Sequence, residues 1–116
     1  MSTTPGPDDA TVAQCLHLGH GFHEDEREKA VEVLDRLDHR LVGEPASGVR
    51  LDLHAKDRDQ PGQKVTLELH VAGLPTMVGT SEKEELWSAV IQVKDEVLRQ
   101  LNEAKDKRVD RREHRH

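Results

Sequence analysis

The chain of 116 residues has no tyrosine, one phenylalanine and one tryptophan, so its interior cannot be aromatic and has to be built from Leu and Val. It has a single cysteine, Cys15, which rules out a framework of internal disulfides and points to a reducing compartment. It lacks an apolar run long enough to span a bilayer. The first residues, Met1 to Asp9, are polar, carry Pro5 and Pro7, and show no apolar segment of the signal-peptide kind. These absences lead to the expectation of a cytoplasmic protein without membrane contact. No nucleophile motif, phosphate-binding loop or metal signature is apparent either, so neither an enzyme, nor a cofactor, nor a small-molecule substrate is expected.

What is present is charge. Apolar and charged residues each make up 34% of the chain, so the core must come from a few well-patterned segments. The formal net charge of −6 argues against nucleic-acid binding if taken alone. Phosphate recognition, however, depends on cations gathered on one surface rather than on the sum. The length suits one domain.

The patterning divides the chain into an arm, a domain and a tail. Met1 to Ala10 reads as a disordered arm, small and polar. Thr11 to Leu18 reads as a strand with an apolar face interrupted at Gln14. Glu24 to Leu41 reads as an amphipathic helix, with Ala30, Leu34, Leu37 and Leu41 in one stripe and acidic residues in the first turn. Val49 to Lys56 and Lys64 to Val71 both alternate apolar and polar, with a Pro61-Gly62 turn between them, which predicts an antiparallel hairpin. Thr76 to Gly79 is a shorter fourth strand. Ser81 and Glu84 have the spacing of a capping box, opening a long helix to about Lys107 with Leu86, Val90, Val93, Val97, Leu101 and Ala104 as its stripe. Residues 108–116 form a charged tail expected to fray. The order β-α-β-β-β-α predicts an α+β two-layer sandwich in which both helices cover one face of a four-stranded sheet, with the first two strands parallel.

The last helix carries a resemblance. The run Glu85-Leu86-Trp87-Ser88-Ala89-Val90-Ile91, then Asp95-Glu96-Val97-Leu98-Arg99-Gln100-Leu101, then Lys105-Asp106-Lys107, resembles the final helix of the ribosome hibernation promoting factors. That family includes the ribosome-associated inhibitors and the sigma-54 modulation proteins, and its element order is also β-α-β-β-β-α. Trp87 stands where the family usually has Tyr, and Val33-x-x-Arg36-Leu37-Asp38 keeps one of the two basic positions of the family's first helix. The extra C-terminal domain of the long form has no counterpart, so the resemblance is to the short form. It implies a monomeric protein that sits in the mRNA and tRNA channel of the small ribosomal subunit, holds rRNA phosphates with cations on its two helices, and silences translation without covalent chemistry.

The candidate RNA-binding residues follow from that implication. They are Arg36 and Arg40 on the first helix, Arg50 and Lys56 on the hairpin, and Arg99, Lys105, Lys107, Arg108, Arg111 and Arg112 at the C-terminal end. Each also has a plainer reading. Cations are favoured at helix ends, Arg36 and Arg40 can pair with Glu32 or Asp35, and charged residues commonly line a solvent-facing sheet. His17, His20, His23, His54 and His70 suggest zinc only weakly by spacing, and no metal site is expected from them. Trp87 is placed at the edge of the core. A second function class stays open: a diverged relative that binds a protein partner through its acidic first helix.

Overall fold

The structure is a computed structural model that describes residues 9–113, with side chains as far as Arg108. Its centre is the hairpin. Strands β2 (Val49–Lys56) and β3 (Lys64–Val71) pair antiparallel over their whole length, from Val49 opposite Val71 to Lys56 opposite Lys64. Strand β1 (Leu16–Leu18) adds in parallel to β2, and β4 (Met77–Ser81) adds antiparallel to β3, giving the order β1-β2-β3-β4. Alternation dictates the outcome. Leu51, Leu53, Val65, Leu67 and Leu69 are fully buried on one face, whereas Asp52, His54, Thr66 and Glu68 between them lie partly open on the other. The helices cover the apolar face, as the α+β two-layer arrangement requires.

The N-terminal part departs from the sequence-based expectation. Val12–Cys15 is a helical turn, α1, and the strand is only Leu16–Leu18. Val12 and Cys15, three apart, are buried while Ala13 and Gln14 face out, which is helical spacing. Thr11 caps the turn by accepting from the Gln14 amide at 3.3 Å, and Asp38 accepts from the Val12 amide at 2.7 Å. Of the expected arm, Asp9 and Ala10 are described and are placed: Asp9 bridges Pro45, and Ala10 is fully buried and donates to the Glu44 carbonyl at 2.8 Å. Residues 1–8 lie outside the described part.

The first long helix is segmented. A 3-10 turn, Glu24–Glu26, leads into α2 (Arg27–Leu34), a second 3-10 turn (Asp35–Leu37) interrupts it, and α3 (Asp38–Leu41) completes it. The tighter winding brings residues three apart into line. It keeps Leu34 and Leu37 on the same buried side before the spacing of four to Leu41, and all three are fully buried.

Helix α4 (Leu86–Glu113) starts later and ends later than the sequence suggests. Ser81 is the last residue of β4 and not a cap; its hydroxyl donates to the Gln92 side chain. The cap is Glu85, whose carboxylate accepts from the Trp87 and Ser88 amides at 2.5 and 3.4 Å. At the other end the backbone stays helical to Glu113, six residues beyond Lys107. The helix lies close on β4 because residue 79 is glycine: a Cβ there would stand 2.7 Å from the Val93 carbonyl oxygen. Gln100 then closes the outer edge of β4, accepting from the Val78 amide at 3.1 Å and donating to the Val78 carbonyl at 2.8 Å. Among the described residues, no helix is long and apolar enough to cross a membrane.

Candidate functional site

Two ionic junctions join the helices to the rest of the fold. The first is at the ends of α3 and α4. Gly43, at φ +90°, lets the chain leave α3 in the left-handed region and turns Glu44 inward. Glu44 is 8% exposed, so its carboxylate needs partners. It has two, both from α4: Arg108 donates through Nη2 at 3.0 Å and Lys105 Nζ lies at 3.5 Å. The Arg108 guanidinium, aided by Lys105, holds the Glu44 carboxyl below the usual range against the opposing effect of burial. Lys105 also donates to the Arg40 carbonyl, which fastens α4 to α3. Arg40, whose carbonyl takes that bond, has an Nε that is buried without a hydrogen-bond partner among the described residues. Two cations thus share one carboxylate.

Next to this junction, on the other flank of α4, a cleft of ≈ 540 Å³ opens between the helix and the β3–β4 turn. Leu74, Pro75, Met77 and Ala104 give it an apolar floor, and Lys107 and Arg108 stand at its rim. Lys107 is exposed and forms no ion pair with another described residue. Of the α4 candidates, Lys105, Lys107 and Arg108 lie at this end of the helix, and Lys105 and Arg108 are engaged by Glu44.

The other candidates do not join this cluster. Arg36 is exposed on the 3-10 turn before α3. Arg99 is clamped between Glu96 at 2.5 Å and Glu103 at 3.0 Å on the α4 surface. It precedes Arg108 by about two and a half helical turns, so it points away from it. Arg50 and Lys56 belong to the polar sheet face, the side opposite the helices, and Arg50 is paired with Asp52 at 3.0 Å. A single ligand surface cannot use both groups at once. The side chains of Arg111 and Arg112 lie outside the described residues.

The second junction is at the opposite end of the helical layer. Arg58, in the β2–β3 loop, makes a two-pronged contact with Glu26, at 2.6 and 2.7 Å, and also donates to the Gly21 carbonyl at 2.8 Å. Its guanidinium lies 5.7 Å from the Phe22 ring centre. The Arg58 hydrogen bonds push the Glu26 carboxyl down to about 2. Gln63, 2% exposed, ties the same loop to the start of α4 by accepting from the Asp59 amide and donating to the Lys83 carbonyl. Trp87 stands at the core edge, as expected, meeting Phe22 edge-on at 6.1 Å with Lys29 over its ring at 4.8 Å.

Sequence reasoning missed Glu44 and the pairing of Glu26 with Arg58. The one available signal was Gly43 with Pro45, which flanks Glu44 with residues that force a sharp turn. It also missed the grouping of Asp52, Glu68 and His70, whose ligand-type atoms all lie within 4.8 Å of one another on the open sheet face. His17, His20 and His23 are exposed and do not belong to such a group among the described residues. Compared with known family models and with curated proteins, the chain matches none.

Proposed function

We propose that the protein binds ribosomal RNA on the small ribosomal subunit and silences translation, as a relative of the ribosome hibernation factors. The observation that carries this reading is the cation excess at the α3–α4 junction. Lys105 and Arg108 share one carboxylate, and Arg40, whose carbonyl accepts from Lys105, has a buried Nε without an acceptor among the described residues. Phosphate oxygens suit such a surplus of cationic donors, and guanidinium and phosphate geometries match. Lys107, exposed at the rim of the neighbouring cleft, adds positive charge beside the junction, and Arg36 is exposed four residues before Arg40. The β-α-β-β-β-α order and the resemblance of the α4 run support the same reading. Binding of this kind is electrostatic: each phosphate neutralised releases counterions, and the complex weakens steeply as salt rises. The acidic balance of the chain, −6, confines the attraction to this end and favours a salt-sensitive complex.

A second reading rests on a specific feature. Glu24, Asp25, Glu28, Glu32 and Asp35 are all exposed along α2 and its flanking turns. That acidic strip repels RNA and suits a basic protein partner.

Co-sedimentation with purified small subunits at low and high salt separates the two readings. The expected result is association at low salt that is lost at high salt. Replacing the two exposed cations, Arg36→Glu with Lys107→Glu, is expected to weaken binding roughly tenfold or more, since two phosphate contacts become repulsive. Failure to co-sediment even at low salt overturns the first reading.

A further inference from the structure

The open sheet face carries a group of side chains that rRNA binding at the helix ends does not use. Asp52 on β2 and Glu68 on β3 are directly opposite each other across the antiparallel pair. His70 follows Glu68 by two residues, so all three project from the same face. Their ligand-type atoms lie within 4.8 Å of one another, and His70 Nε2 is 3.8 Å from Glu68 Oε2. The histidine is also oriented: its Nδ1 lies 3.2 Å from the Thr76 hydroxyl. The hydroxyl can accept from Nδ1–H, which leaves Nε2 unprotonated and facing the two carboxylates, or donate to Nδ1 in the other tautomer. An outer-sphere partner of this kind orients the ring, and a bound ion selects the tautomer that frees Nε2.

We infer that Asp52, Glu68 and His70 form a binding site for a divalent transition ion of the zinc class. One nitrogen and two carboxylate oxygens are a donor set that zinc accepts, with ligand bonds of about 2.0–2.2 Å and a fourth position left to water or to an incoming group. Bonds of that length bring ligand atoms to within about 3.5 Å of each other in a tetrahedron, so closing the site takes only small rotations of half-exposed side chains. His17, opposite Asp52 in the parallel β1–β2 pairing, puts a further imidazole on the same face.

Arg50 opposes the ion. Its Nε contacts both Asp52 oxygens, at 3.1 and 3.0 Å. The Arg50 side chain is 59% exposed, so the pair is weak and the guanidinium can swing away into water. Metal and Arg50 therefore compete for one carboxylate, and this gives the site a signature that incidental surface chelation lacks.

The test is titration of Zn²⁺ alone into the full chain by calorimetry, with Co²⁺ visible absorption reporting coordination geometry. One saturable equivalent is expected. His70→Ala should lower the affinity about tenfold or more, and Thr76→Val by less, through the freed ring. Arg50→Ala should raise the affinity. A double variant, His114→Ala with His116→Ala, should leave the equivalent in place. No saturable equivalent, an affinity unchanged by His70→Ala, or loss of binding in the His114 and His116 variant overturns the site. Unfolding transitions recorded for each variant confirm that the exposed substitutions leave the fold intact.

Discussion

The two ionic junctions are built from similar parts and differ in their balance. At the Glu26 end, one guanidinium meets one carboxylate squarely, and the remaining Arg58 donor capacity goes to the Gly21 carbonyl. At the Glu44 end, one carboxylate is shared by Lys105 and Arg108, and Arg40 keeps a buried donor with no partner among the described residues. A matched pair has nothing left for a ligand and serves the fold. An unmatched set holds the elements together and still presents positive charge. On the proposed reading, this difference is what lets a chain with an excess of acidic residues offer a local site for phosphate.

The strongest way to break this contrast is at the matched end. Arg58→Ala leaves Glu26, whose side chain is 18% exposed, without its partner. A loss of about 2–3 kcal/mol is expected, visible as a lower urea midpoint with an unchanged slope. Small-subunit binding per folded molecule should not change, because no candidate phosphate ligand is touched.

At the other end the balance can be pushed further. Glu44→Gln removes the shared carboxylate charge and should cost about 1–2 kcal/mol of stability. It also frees Lys105 and Arg108, so binding to small subunits should strengthen at matched salt. A variant that loses stability and binding together would show that Glu44 positions these cations for the ligand instead of restraining them.

Acid tests the matched junction without mutation. The Glu26 carboxyl titrates at about 2 in the folded chain, against an ordinary value of 4.5. Its contribution to stability is therefore complete above pH 4.5 and is lost as the pH falls towards 2. Arg58→Ala should flatten the decline of stability across that window, measured by urea denaturation at a series of pH values. Glu44 is also held low by its cations, so Glu44→Gln should remove a second, separate part of the acid sensitivity.

The smallest expected effect sharpens the placement of the site. Arg99→Glu breaks exposed pairs with Glu96 and Glu103 on a flank of α4 away from Arg108. It should leave stability almost unchanged and should weaken subunit binding far less than the Arg36 and Lys107 pair of changes.

How much of this could be read in advance depended on the element. The β2–β3 hairpin was legible to the residue, because strict alternation over eight positions leaves one register that buries Leu51, Leu53, Leu67 and Leu69 together. The α4 stripe was equally clear, yet its start was not. Ser81 and Glu84 have capping-box spacing, but Ser81 is taken into β4 opposite Val65, and Glu85 inherits the cap. At the N-terminus the misfit at Gln14 was the clue, since a strand would have placed it on the buried face and a helical turn does not. The candidate site was legible only as a list of cations. Sheet sidedness separates Arg50 and Lys56 from Arg40 and Lys105, and acidic neighbours on α4 occupy Arg99.

By itself, the sequence determined the element order, the aliphatic core and the side of the sheet that the helices cover. These follow from periodicity, which is a property of the local backbone and needs no knowledge of distant residues. Only the tertiary structure decided which charges meet. Glu44 and Arg108 are 64 residues apart, Glu26 and Arg58 are 32 apart, and the imidazole of His70 reaches carboxylates on two strands. Coulomb attraction and metal coordination depend on distance in space. The same residue type is a structural tether at position 58 and part of a cation excess at position 108 because folding gives each a different set of neighbours.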